Sequence, residues 1–146
     1  EQGVKLNFFG NLEDFGPNVI NKISLAEDAT SLENPSLQLN VALGYGGRKD
    51  IIQTTKLLAE KVKDGKISLQ DINEDIFAEF SVVPIDNIDL VIRTGGDKRL
   101  SNFLLFQIAY AEIMFIDKLW PDFTKQDFIS CLESFKNVER RFGKRI

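Results

Sequence analysis

No histidine occurs anywhere in the chain, so no imidazole is available to carry a proton or ligate a metal. Cysteine occurs once, at Cys131, which excludes an intrachain disulfide and fits a reducing compartment. Long hydrophobic runs are also missing. The longest apolar stretch, Phe103 to Ile116, is interrupted by Gln107 and Glu112 and is too short to cross a bilayer. No signal-peptide pattern opens the chain, and there are no internal repeats or low-complexity tracts. Nor is there a basic excess: 18 Lys and Arg against 22 Asp and Glu leave a net charge of −4, which argues against a general nucleic-acid binder.

What is present suffices for a core. Hydrophobic residues make up 43% of 146 positions, so a single domain over 1–146 is predicted. Val4 to Phe9 alternates apolar and polar positions and reads as a strand ended by Gly10. Pro17 suits a first helical turn, with Val19, Ile20 and Ile23 as its apolar side. The polar segment from Glu27 to Ser36 reads as a loop. Leu37, Leu39, Val41 and Leu43 form a second strand, which runs into Gly44-Tyr45-Gly46-Gly47-Arg48. The glycines there suit the geometry of a strand-to-helix turn, and Arg48 is left open. Ile51, Thr55, Leu58 and Val62 mark one face of a helix that Gly65 stops. Ser68 and Asp71 resemble a capping box, and Leu69, Ile72, Ile76 and Phe80 form the next helical stripe. Ile88 to Ile92 is a short, largely β-branched run after Pro84 and reads as a buried parallel strand. Asn102 to Tyr110 reads as helical and Ile113 to Ile116 as a fourth strand. Thr124 and Asp127 form another capping-box start, followed by the helical stripe Phe128, Leu132, Phe135 and Val138. Cys131 reads as a core filler. The basic end, Glu139 to Arg145, suits a helix C-terminus. Strands alternating with helices predict an α/β fold, a mostly parallel sheet flanked by helices.

The chemistry gathers between Arg93 and Asp122. The third strand delivers Arg93-Thr94-Gly95-Gly96 to the C-terminal edge of the sheet, where α/β folds bind ligands. Two glycines let backbone N–H groups approach an anion. Arg93 and Arg99 add planar forks suited to phosphate oxygens. Ser101 adds a hydroxyl and could cap a following helix whose N-terminus favours an anion. These residues suit a phosphate or diphosphate cradle. They also allow a plainer reading, in which both arginines pair with surface carboxylates. Glu112, set between Ala111 and Ile113, is costly if buried unpaired, so a cation or metal is expected beside it.

The run Arg93-Thr94-Gly95-Gly96-Asp97-Lys98-Arg99-Leu100-Ser101-Asn102-Phe103-Leu104-Leu105 resembles the C-terminal signature of the cis-prenyltransferase family. Tyr110, Glu112 and Leu119-Trp120-Pro121-Asp122-Phe123 extend the resemblance. Tyr45-Gly46-Gly47-Arg48 and Glu139-Arg140-Arg141-Phe142-Gly143 match two further family stretches, in the right order. The family's N-terminal loop, a His-x-Met-Asp-Gly-Asn pattern with the catalytic aspartate, has no counterpart here. The chain therefore reads as the C-terminal portion of a longer enzyme, with no catalytic residue of its own and no activity alone.

The resemblance implies a transferase that condenses isopentenyl diphosphate with an allylic diphosphate such as farnesyl diphosphate. Its product would be a long-chain cis-polyprenyl diphosphate, a lipid carrier for cell-wall synthesis, as in the undecaprenyl-forming bacterial branch. It places Arg93, Arg99, Leu100 and Ser101 on the diphosphate of isopentenyl diphosphate and Glu112 on a Mg²⁺ ion. It implies a cytoplasmic homodimer associated peripherally with the inner face of the membrane through its lipid product, and no nucleic acid. Asp97 stands where the family usually has Glu and would orient the arginines. Lys98 stands where His or Gln is usual and cannot ligate a metal while charged. Phe106 stands at an aromatic position and reads as core. Two other classes stay open: a non-catalytic subunit of a heteromeric cis-prenyltransferase, and a simple phosphate-binding module.

Overall fold

The computed structural model describes residues 3–85 and 87–138. The chain divides into two compact units, Glu1–Pro84 and Ile85–Ile146. Each is built from a pair of parallel strands with helical segments, so the predicted α/β class holds.

In the first unit, β1 (Val4–Gly10) pairs with β2 (Leu37–Leu43), from Val4 opposite Leu37 to Gly10 opposite Leu43. Helix α1 (Pro17–Ala29) connects them, opened by Pro17 in its first turn. It runs three residues into the segment predicted as loop. Two polar side chains there explain why. The carboxylate of Glu27 accepts the Phe8 N–H at 2.8 Å, and the hydroxyl of Thr30 accepts the Leu6 N–H at 3.1 Å. Alternate N–H groups of β1 are thereby satisfied by side chains rather than left as an open edge. At the strand's end Gly10 has φ +115°, and a Cβ there would lie 2.0 Å from the Leu43 carbonyl oxygen, so only glycine fits.

Helix α2 (Gly47–Lys63) follows β2. Its buried line is Gly47, Asp50, Thr54 and Leu58. Of the predicted stripe only Leu58 is buried, because the helix turns inward the face carrying Asp50. The Ser68–Asp71 capping box forms, but it opens only a single 3₁₀ turn, Leu69–Asp71. A separate helix, α3 (Glu74–Glu79), begins after Asn73, whose side chain accepts the Ile76 N–H at 2.9 Å. The stripe predicted to run from Leu69 to Phe80 is split there, because an Asn side chain that caps a new helix competes with continuing the old one.

In the second unit, β3 (Leu90–Thr94) pairs with β4 (Glu112–Ile116), with Leu90 opposite Glu112 and Arg93 opposite Phe115. β3 lies two residues later than predicted, so Arg93 is a strand residue. Its side chains are all half-exposed rather than buried. The helix predicted over 102–110 is absent; the backbone makes successive turns instead. Ser101, Asn102 and Leu104 have φ of 47°, 65° and 43°. Left-handed residues cost roughly 1–2 kcal/mol each and cannot propagate a right-handed helix. Leu104 and Ile108 nevertheless reach the interior. After a 3₁₀ turn at Trp120–Asp122, α4 (Lys125–Lys136) starts from the full Thr124–Asp127 capping box. Cys131 is buried, as predicted, whereas Phe128 and Leu132 of the predicted inner stripe are exposed. The matches at Glu139 to Gly143, and the basic run to Arg145, lie outside the described residues.

Candidate functional site

Four of the residues singled out in the sequence meet at one place. Arg93, Arg99, Leu100 and Ser101 line a single pocket of about 320 Å³ in the second unit. Thr94 joins them, and Ile92, Phe103, Ile113 and Phe115 supply apolar walls. The strand carries Arg93 to the pocket. The left-handed turn at Ser101 folds the loop back, so that Ser101 faces an arginine eight residues earlier.

The two arginines are held differently. Arg93 donates from Nη1 to the Arg99 carbonyl and, at 2.9 Å, to Ser101 Oγ. Its Nη2 lies 3.4 Å from Asp97 Oδ2. With its side chain 24% exposed, Arg93 is a braced group. The Arg99 side chain makes one polar contact among the described residues, from Nη2 to the same Asp97 oxygen at 2.6 Å, and is 66% exposed. Asp97 therefore bridges both guanidinium groups. The plain pairing of arginine with carboxylate and the convergence of cations are both present. Lys98 is exposed and makes no hydrogen bond or ion pair among the described residues.

Two expectations about this loop are overturned. The glycine N–H groups do not face an anion: Gly95 N–H donates to the Lys118 carbonyl at 2.8 Å and Gly96 N–H to the Ile116 carbonyl at 3.1 Å. Their positive φ values, 95° and 79°, serve the turn instead. Ser101 caps no helix, since none follows it, so its hydroxyl serves Arg93 and no helix N-terminus adds to the site. Side chains, not backbone amides, carry the positive charge of this pocket.

Glu112 is not part of the cluster. It opens β4 opposite Leu90, three residues from the Arg93 level, which is roughly 10 Å along a strand. Its N–H donates to the Asp89 carbonyl at 3.0 Å. Its half-exposed carboxylate makes no hydrogen bond or ion pair among the described residues, so none of them supplies the cation expected beside it. No group of three metal-ligating side chains occurs among the described residues. A lone free carboxylate still fits Mg²⁺, which takes one or two protein carboxylates and completes its shell with phosphates and water. Phe106 is half-buried. No helix among the described residues is long and apolar enough to cross a membrane.

A second, smaller recess of about 120 Å³ lies in the first unit, beside the Gly44-Tyr45-Gly46 turn. Asp50, 4% exposed, lies at its wall. It accepts the Tyr45 hydroxyl at 2.7 Å, the Thr54 hydroxyl at 3.2 Å and the Val82 N–H at 2.8 Å. Burial, and then the bond to Asp50, push the Tyr45 hydroxyl well above the usual phenol range. Sequence reasoning missed this cluster. Its signal was Asp50, Thr54 and Leu58 at helical spacing, where a buried carboxylate looks like a surface one.

The prenyltransferase family profile described as "Putative undecaprenyl diphosphate synthase" matches residues 1–143. A ditrans,polycis-undecaprenyl-diphosphate synthase specific for (2E,6E)-farnesyl diphosphate, from Pasteurella multocida, is 44% identical over 98% of this chain and 60% of its own. The enzyme of the same description from Escherichia coli K12 is 46% identical over 96% of this chain and 55% of its own. The crystal structure of lavandulyl diphosphate synthase from Lavandula x intermedia, in complex with dimethylallyl diphosphate, superposes with a TM-score of 0.92 at 32% identity, over 99% of this chain and 62% of that one. A probable undecaprenyl diphosphate synthase from Campylobacter jejuni gives a TM-score of 0.82 at 38% identity, over 97% of this chain and 64% of that one. The chain thus spans between about half and two-thirds of the proteins it matches. With the sequence profile, the relatives and the backbone in agreement, the chain belongs to the undecaprenyl diphosphate synthase family of prenyltransferases.

Proposed function

We propose that this chain supplies the isopentenyl diphosphate site of a transferase that condenses isopentenyl diphosphate with farnesyl diphosphate into a long-chain cis-polyprenyl diphosphate. The carrying observation is the pocket that gathers Arg93, Arg99, Leu100 and Ser101 beside apolar walls. A small diphosphate with a short hydrocarbon tail needs that combination: cations for the head and a dry surface for the tail. Arg93, braced from two sides, presents a fixed charge. Arg99, exposed and loosely held, closes on the ligand. Ser101 fixes the Arg93 fork and offers its hydroxyl proton to a phosphate oxygen.

Glu112 is the residue of this chain that would hold Mg²⁺, as a single carboxylate, with substrate oxygens and water as the other ligands. The ion would supply charge neutralisation for a diphosphate. The acidic loop that binds the allylic diphosphate is absent from the sequence, so the chain by itself binds one substrate and turns over none. In the whole protein we infer a homodimer that meets the membrane through its lipid product, and light scattering at micromolar concentration tests the dimer.

Two measurements test the reading. Titration of isopentenyl diphosphate into the chain should show binding that isopentenol, which lacks the diphosphate, does not; equal binding of both would remove the cradle. Incubation with farnesyl diphosphate, labelled isopentenyl diphosphate and Mg²⁺ should give no labelled polyprenyl product. Product from this chain alone would show that the aspartate loop is dispensable.

A further inference from the structure

We infer that Asp97 is a placeholder anion: its carboxylate occupies the position between Arg93 and Arg99 that a ligand's phosphate takes, and binding proceeds by displacing it. This rests on the reading of the pocket as a diphosphate site.

Several donors of the loop are already engaged. Nη1 of Arg93 serves the Arg99 carbonyl and Ser101. The amides of Gly95 and Gly96 serve carbonyls of the chain. What both arginines direct at one point is Nη2, and Asp97 Oδ2 is the atom at that point, 2.6 Å from Arg99 and 3.4 Å from Arg93. A single oxygen bridging two forks is the arrangement a phosphate oxygen would make. Without it, two like charges would stand side by side, and the exposed Arg99 would swing away. Asp97 thus keeps the forks convergent while no ligand is bound.

The contact is built to yield. Arg99 and Asp97 have side chains 66% and 46% exposed, and ion pairs in such water-accessible positions are weak. A diphosphate carries several charges where the carboxylate carries one, so it displaces Asp97 from both forks. A singly charged anion competes on equal terms and gains little. Asp97 therefore sets a threshold that favours dense anions, and its presence lowers the affinity for all of them.

The test uses the full chain and inorganic diphosphate, titrated calorimetrically into wild type, Asp97→Asn and Asp97→Glu, with a melting curve for each. Removing the competing charge should tighten diphosphate binding by about three- to tenfold at low salt, and the gain should shrink as ionic strength rises. Asp97→Glu, which keeps the carboxylate, should bind like wild type. Unchanged or weaker binding by a folded Asp97→Asn overturns the placeholder while leaving the cradle in place. Absence of diphosphate binding in wild type and Asp97→Asn alike overturns the cradle, and the placeholder with it.

Discussion

Replacing Arg93 and Arg99 by alanine separates holding the loop from holding the ligand. Arg93→Ala removes the donor that joins Ser101 Oγ and the Arg99 carbonyl, both within one loop. With the arginine side chain only 24% exposed, that loss should cost about 1–3 kcal/mol of stability. Arg99→Ala removes one exposed ion pair, worth about 0–1 kcal/mol. If both forks grip a diphosphate, each change should also weaken isopentenyl diphosphate binding by about 1.5–3 kcal/mol, or roughly ten- to a hundredfold. Arg99→Ala is the cleaner variant, because it should lose affinity with its denaturation curve almost unmoved. Lysine at 99 should recover only part of the loss, since an ammonium holds phosphate as a point charge without the fork. Isothermal titration, paired with urea unfolding of each variant, reads both effects. Full affinity in a folded Arg99→Ala would refute the assignment, whatever Arg93→Ala does.

Three further outcomes follow from other parts of the molecule. Asp50→Ala should cost about 3–5 kcal/mol, because it strips the shared acceptor from the Tyr45 and Thr54 hydroxyls and the Val82 N–H; Tyr45→Phe should cost about 1.5–3 kcal/mol, both read by urea unfolding. Gly10→Ala should cost about 2–6 kcal/mol, combining about 1–3 for a strained backbone with about 1–3 for the clash with the Leu43 carbonyl, and a melting curve like that of wild type would contradict the φ of +115°. Asp127 is lowered from 3.8 to about 2, first by its hydrogen bond from Lys118 and then by those from the Thr124 hydroxyl and N–H. Because the folded value is the lower one, its stabilising contribution is present above pH 3.8 and lost as the pH falls toward 2, so Asp127→Asn should flatten that part of a stability-against-pH curve.

The local chemistry of this chain was written in its residues. The Gly10 stop, Pro17 in a first turn and both capping boxes are short-range effects that depend on a few neighbouring side chains, and they form where the pattern puts them. The four parallel strands follow from runs of apolar and β-branched residues. The cationic loop was legible too, since Arg93, Arg99 and Ser101 lie within nine positions of one another. What the pattern could not show depends on partners distant in sequence or on backbone handedness. The apolar run from Phe103 reads as a helix, but left-handed backbone at Ser101, Asn102 and Leu104 folds it into turns. Gly95 and Gly96 read as anion-binding amides, but the carbonyls of Lys118 and Ile116 reach them first. Asp50 reads as a surface charge on a helix, yet a main-chain N–H thirty-two positions away makes it a buried acceptor. Glu112 carries the right chemistry for a metal, and only the strand register shows that it stands apart from the arginines. Side-chain type fixes what a residue can do, and the tertiary structure decides which of its possible partners is within reach.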